Sequence, residues 1–145
     1  MPGVDRARWT ETGVRGGIFG TGPESERNPL RVLVPNERAA DDLVEVRAVE
    51  QYDDGLIVRW QAISPLAELE EPTESALKER RAKIQTWAAF EVEDDLGSTP
   101  YEEAGMRARP AGDGESRFTP AVPTAATMLR LRRASGWHLE FDLSS

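Results

Sequence analysis

The sequence predicts an all-β protein, an antiparallel β-sandwich of seven to eight short strands carrying one surface helix. Three observations lead there. Apolar and polar residues alternate with a period of two in several short runs. Asp, Gly and Pro clusters punctuate those runs every 8 to 12 residues or so, about the spacing of a sandwich. One internal stretch, Pro65 to Gln85, abandons the two-residue period for helix-forming residues.

The chain of 145 residues is 39% apolar, with four Trp and four Phe, enough for one domain with a real core. Residues 1–29, ending "GGIFGTGPESERNP", are Gly-rich and hold only scattered apolar side chains, among them Trp9, Ile18 and Phe19. They are expected to form a flexible arm, with the sandwich domain spanning 30–145. The glycines of "GVRGGIFGTG" do not make a phosphate loop. A nucleotide site needs a preceding strand and a following helix N-terminus, and neither pattern is present.

From Leu30 the strands begin. "LRVLV" is a short strand closed by Pro35. "DLVEVRAVEQY" sets Val44, Val46 and Ala48 against Glu45 and Arg47. Asp53, Asp54 and Gly55 supply a tight turn, because Asp and Gly tolerate the backbone angles it requires. "LIVRWQAI" returns with Leu56, Val58, Trp60 and Ala62 on one face, so residues 42–63 predict a hairpin. The helix is expected over about 73–85, capped by Thr73, with Glu74 near its positive end and Lys78, Arg80, Arg81 and Lys83 towards the other. Its apolar stripe of Ala76, Leu77 and Ile84 is too thin to anchor a core.

The β rhythm resumes in "WAAFEVED", where Phe90 and Val92 alternate with Glu91 and Glu93. "ARPAGDGES" reads as a Gly-rich loop, and "RFTPAV" as a short strand that Pro120 should confine to an edge or corner. "TMLRLRR" and "WHLEFDL", joined through Ser135 and Gly136, predict a second hairpin. Leu129 and Leu131 would point inward from the first strand, and Trp137, Leu139, Phe141 and Leu143 share one face of the second, opposite His138, Glu140 and Asp142.

The run "FEVEDDLGSTPY" and the later "RFTPAVPTAATMLRL" resemble uncharacterised bacterial immunoglobulin-like sandwich domains. The matching residues are Asp94, Asp95, Gly97, Tyr101, Phe118, Pro120, Pro123, Ala126 and Leu129, within residues 90–131. The resemblance implies an immunoglobulin-like fold and no catalytic residue. The disulfide on which a Trp such as Trp60 packs in antibody domains is missing, because the chain has no Cys.

Composition narrows function. Zero Cys removes thiol nucleophiles, disulfides and thiolate metal sites, and suits a reducing compartment. No run of 18 apolar residues and no signal-like h-region occur, so a cytoplasmic protein without a membrane span is expected. The formal net charge is −8, and residues 41–103 carry 17 Asp and Glu against 6 Lys and Arg. That section repels phosphate backbones, which argues against nucleic acid and for a basic protein partner, if any.

Catalytic constellations are absent. His138 is the single His, and Asp142 lies about 13 Å along a strand from it, too far to orient it. Glu91 and Glu93 share a solvated strand face rather than the apolar cleft that tunes a glycosidase pair. Asp94 and Asp95 are the candidate metal ligands, although their spacing departs from a calcium loop and Asp-rich turns need no cation.

The expected function is therefore a non-catalytic protein-interaction or assembly module, binding another protein or its own copy and using no cofactor. Candidate contacts are Trp9, Ile18, Phe19, Arg80 and Arg81, since aromatic and Arg side chains dominate interfaces. The alternative is a small-ligand or carbohydrate-binding module with Trp60, Trp87 or Trp137 lining a groove.

Overall fold

In the computed structural model the described residues are Pro23, 27–64, 73–97 and 99–144. They form nine strands and one helix: β1 (Arg31–Leu33), β2 (Ala39–Ala40), β3 (Val44–Tyr52), β4 (Gly55–Ala62), α1 (Glu74–Ala88), β5 (Glu91–Asp94), β6 (Glu102–Ala108), β7 (Asp113–Thr119), β8 (Met128–Arg132) and β9 (His138–Asp142). Two antiparallel sheets result. The larger runs β1-β3-β4-β7-β6, with β2 also on β3; the smaller runs β5-β8-β9. The all-β sandwich with one helix is the architecture the alternation predicts.

Side-chain alternation explains the core. Val44, Val46, Leu56, Val58, Trp60 and Phe118 point inward from the larger sheet, and Leu129, Leu131 and Phe141 meet them from the smaller one. Both predicted hairpins form: Tyr52 pairs with Gly55 across the first turn, and Arg132 with His138 across the second.

Four elements depart from the sequence reading, each for a local physical reason. In β3 the inward row does not continue through Ala48, because a bulge between Val46 and Ala48 shifts the register. One extra residue switches the face of everything after it. Val49 is therefore fully buried, while Glu50 turns to the opposite face of the sheet.

"ARPAGDGES" is not a loop but the end of β6, a tight turn at 109–112 and the start of β7. Gly112, at φ +97°, makes that turn, with its amide bonded to the Arg109 carbonyl. The third departure is the position of "RFTPAV": β7 lies between β4 and β6, inside the sheet rather than at an edge. Pro120 follows the last strand residue and removes no bond from the ladder. Gly114 also belongs in this strand, because the Trp60 ring lies where a Cβ would sit, 2.4 Å from two ring carbons.

The helix is the fourth. Thr73 caps it as expected, accepting from the Ala76 amide at 3.0 Å, but it runs on to Ala88 and does anchor the core. Its last turn buries Trp87 and Ala88. The Trp87 ring meets Trp60 edge-on, with centroids 6.3 Å apart. The thin stripe over the first turns behaves as predicted, with Leu77 largely exposed.

Among the described residues no helix is long and apolar enough to cross a membrane.

Candidate functional site

The acidic turn after β5 is built by its own carboxylates. Asp94 is buried, and its Oδ1 accepts from the amides of Leu96 (2.9 Å) and Gly97 (3.1 Å) while Oδ2 accepts from the Tyr101 hydroxyl at 2.8 Å. Gly97, at φ +72°, allows the chain to fold back on that carboxylate. Burial, and then the hydrogen bond to Asp94, push the Tyr101 phenol well above its ordinary range.

Asp95 faces the other way and fixes the start of β8. It accepts from the Thr127 amide (2.8 Å), the Met128 amide (3.1 Å) and the Thr127 hydroxyl (2.7 Å). The Thr127 hydrogen bonds hold its carboxyl below the usual range. The two candidate ligands thus diverge from one turn, each engaged by protein donors. Among the described residues no group of three or more His, Asp or Glu side chains could hold a metal ion.

A second cluster lies on the face of the larger sheet that turns away from the core. The cross-strand register sets Arg59 of β4 directly opposite Glu115 of β7, and the bulge in β3 brings Glu50 to the same face. Arg59 donates to Glu50 Oε1 (3.0 Å) and Glu115 Oε1 (2.9 Å), and Arg117 donates to Glu115 Oε2 at 2.9 Å. Tyr52 closes the row by donating to Glu50 at 2.8 Å. Burial opposes the Arg59 charge, but the two carboxylates outweigh it and hold the guanidinium above its ordinary value. Glu115 is 2% exposed. Two carboxylates each claimed by Arg side chains form a structural lattice.

The open side of the sandwich is different in character. Between the β1–β2 segment of the larger sheet and β9 of the smaller one lies a cleft of about 700 Å³. Its ends are tied: Arg31 donates to the Leu143 carbonyl at 3.0 Å, and Arg133 to Asp41 at 2.7 Å. Between the ties Val32 and Val34 are 49% and 64% exposed. Trp137, His138 and Leu139 line the opposite wall. A smaller cavity of about 260 Å³ continues past Arg31, beside Leu30, Val122 and Pro123.

The residues singled out from sequence scatter across this frame. Trp9, Ile18 and Phe19 lie outside the described residues. Of the proposed arm, Arg27 is described, and it pairs with Asp53 and Asp54 and stacks over the Tyr52 ring at 5.2 Å. Arg80 is half-buried and Arg81 exposed on α1, and neither lines the cleft. Of the three Trp offered as groove residues, Trp60 and Trp87 are core, and Trp137 alone lines the cleft.

Sequence reading missed the buried charges Glu115, Arg117 and Arg133, and the half-buried Asp41 that pairs with the last of them. Glu115 and Arg117 had a signal, since they alternate with Ser116 and Phe118 across the junction between the expected loop "ARPAGDGES" and the expected strand "RFTPAV". Arg133 had none.

No protein-family model matches the chain, and no curated protein matches it. A solved structure, that of a conserved domain protein from Bacillus anthracis, is similar at 17% identity and a TM-score of 0.35. The alignment covers 70% of this chain and 33% of that one, so the chain spans about a third of that protein.

Proposed function

We propose that the chain is a non-catalytic protein-interaction or assembly module of immunoglobulin-like type that binds through the open side of its sandwich. One observation carries this reading: the cleft between two strand edges, with Val32 and Val34 exposed on one wall and Trp137 and Leu139 on the other. Apolar side chains flanking strand edges suit a protein segment, which can add main-chain hydrogen bonds to apolar burial. The carboxylates with a conceivable catalytic role support it as well, since Glu50, Glu115, Asp94 and Asp95 are all engaged by internal donors. A cytoplasmic setting with a basic protein as partner belongs to the same reading, resting on zero Cys and the acidic section 41–103, and a bacterial source rests on the resemblance alone.

The test is capture from the native cell, comparing the full chain with a Val32→Asp, Val34→Asp variant. A protein held by the first and lost by the second is the expected result. Identical capture by both would remove the cleft from the interface.

A carbohydrate or small ligand is the second reading, favoured by Trp137 in the cleft wall. Trp137 fluorescence unchanged across a sugar panel, measured against a Trp137→Phe control, would count against it.

A further inference from the structure

The three-stranded sheet ends at β9 with an edge that is ready for another strand. The amide of Leu143 donates to the Thr127 carbonyl, and the Trp137 carbonyl accepts from Arg133. Those two bonds fix the parity of the strand between them: Leu139 and Phe141 face β8 with both main-chain groups, Trp137 with its carbonyl and Leu143 with its amide. His138, Glu140 and Asp142 therefore turn both their N–H and C=O to the open edge. Among the described residues no strand pairs there.

The other edges carry protection. β1 is three residues long and Pro35 follows it closely. β5 is four residues, three of them acidic, so its own copy would be repelled. β6 is broken by a bulge between Glu103 and Gly105. Bulges, short length, Pro and like charges are the usual ways of blocking strand addition. β9 has five regular residues, no Pro, Gly or Lys, and a cleft beside it.

We propose that the occupant of this edge is a second copy of the chain, pairing antiparallel through β9 about a two-fold axis at Leu139. This rests on the protein-interaction reading above and names the partner. In that register Leu139 faces Leu139 of the second copy, Trp137 faces its Phe141, and His138 faces its Glu140. The inner row stays apolar across the junction and extends the core side of the sheet. The outer row is complementary. Arg130 already bonds Glu140 at 2.9 Å and Glu93 at 3.0 Å, and the second copy adds the His138 imidazole on the far side of Glu140. Arg132, beside His138 in the β8 register, is answered by the incoming carboxylate. The even-numbered residues supply the main-chain bonds, and each facing pair exchanges two of them. The exposed Val32 and Val34 edge of the larger sheet gains cover in the same contact.

Sedimentation of the full chain over a concentration series tests this. The expected result is a monomer–dimer equilibrium. Glu140→Pro removes an outward N–H and no bond to β8, so it should give a monomer that still melts cooperatively. His138→Glu sets two carboxylate pairs against each other and should weaken dimerisation about tenfold or more. Adding Glu140→His to it recreates the facing pairs in reverse and should restore the dimer, which no other register does. A dimer indifferent to these changes overturns the proposal, and so does a monomer at every concentration. In the latter case, hydrogen exchange on β9 with the captured protein added separates two failures. Protection there leaves the interaction reading standing without self-pairing; no protection removes both.

Discussion

Arg133 donates through Nε to Asp41 Oδ2 at 2.7 Å, joining residues 92 positions apart with side chains 4% and 6% exposed. The same guanidinium donates to the carbonyls of Trp87 (2.7 Å), Ala89 (2.9 Å) and Thr86 (3.2 Å), and its plane sits 4.9 Å above the Phe90 ring. One side chain thus satisfies the last carbonyls of α1, places positive charge at the negative end of its dipole, and ties β8 to the end of β2. No basic residue lies in the last turn of the helix itself. Arg133 supplies that charge from the other sheet.

Replacing Arg133 by Met should cost about 3–5 kcal/mol in chemical denaturation, because the largely covered Asp41 carboxylate loses its counter-ion and the carbonyls lose their donors. Arg133→Lys keeps the charge but not the planar fork, and should fall between the two. A loss below about 1 kcal/mol for the Met variant would mean that the helix end is held by Trp87 packing alone.

Asp41 also predicts an acid dependence. Burial raises its pKa, but the amides of Val44 and Leu43, together with Arg133, outweigh it and set the net shift downward. A carboxyl depressed in the folded state stabilises the protein fully above its unfolded pKa, and that contribution is lost as pH falls through the lower folded value. Stability should therefore decline below the ordinary carboxylate range. Asp41→Asn should start lower and flatten that acid limb, as followed by urea midpoints against pH.

Gly114→Ala tests the close approach of β7 to the core. The new methyl carbon would fall 2.4 Å from two Trp60 ring carbons and 2.7 Å from the Arg107 carbonyl oxygen. Trp60 cannot turn aside freely, since its indole N–H donates to Ser116 Oγ at 3.0 Å, which in turn donates to the Ala88 carbonyl at 2.7 Å. The substitution should cost about 1–3 kcal/mol or more as overpacking and alter the near-ultraviolet circular dichroism. A native-like spectrum and midpoint would show that the sheet yields there.

What the sequence disclosed follows from how far each signal reaches along the chain. Val44, Val46, Leu56, Val58 and Trp60 declare their strands because alternation is local, and the Asp53–Gly55 turn lies between them. The bulge at Arg47 is invisible in the same run, because Ala48 and Val49 are both acceptable inward residues and only the partner strand decides. Gly112 and Gly114 look like one loop until Trp60, over 50 residues earlier, is known to need a residue without a side chain beneath it. Arg133 is one of several arginines in "LRLRR", and only its distant partners distinguish it. The candidate site follows the same rule: His138 and Trp137 were visible as a strand, whereas an open edge is a property of the whole sheet.

The acidic turn predicts a negative result with calcium and a positive one by mutation. Asp94→Ala strands the Leu96 and Gly97 amides and the Tyr101 hydroxyl, and should cost about 1–3 kcal/mol. Because those donors already occupy the carboxylate, the melting temperature of the unaltered chain should be the same in calcium and in a chelator. A calcium-dependent rise that Asp94→Ala abolishes would reinstate the turn as a cation site.

The lattice of Glu50, Arg59, Glu115 and Arg117 separates charge pairing from mere burial. Glu115 is bridged by Arg59 at 2.9 Å and by Arg117 at 2.9 Å, so Glu115→Gln keeps the shape while leaving two guanidinium groups without their shared counter-ion. Removing one member of a buried ionic group costs about 3–5 kcal/mol, more than an exposed pair's 0–1 kcal/mol or so. Glu50→Gln, at the wetter end, should cost less. A cycle combining Glu115→Gln with Arg59→Met isolates the pairing, because once Arg59 is gone the Gln substitution should hurt less than it does alone. Additive losses in that cycle would mean the lattice is held by its surroundings and that the two charges contribute nothing jointly.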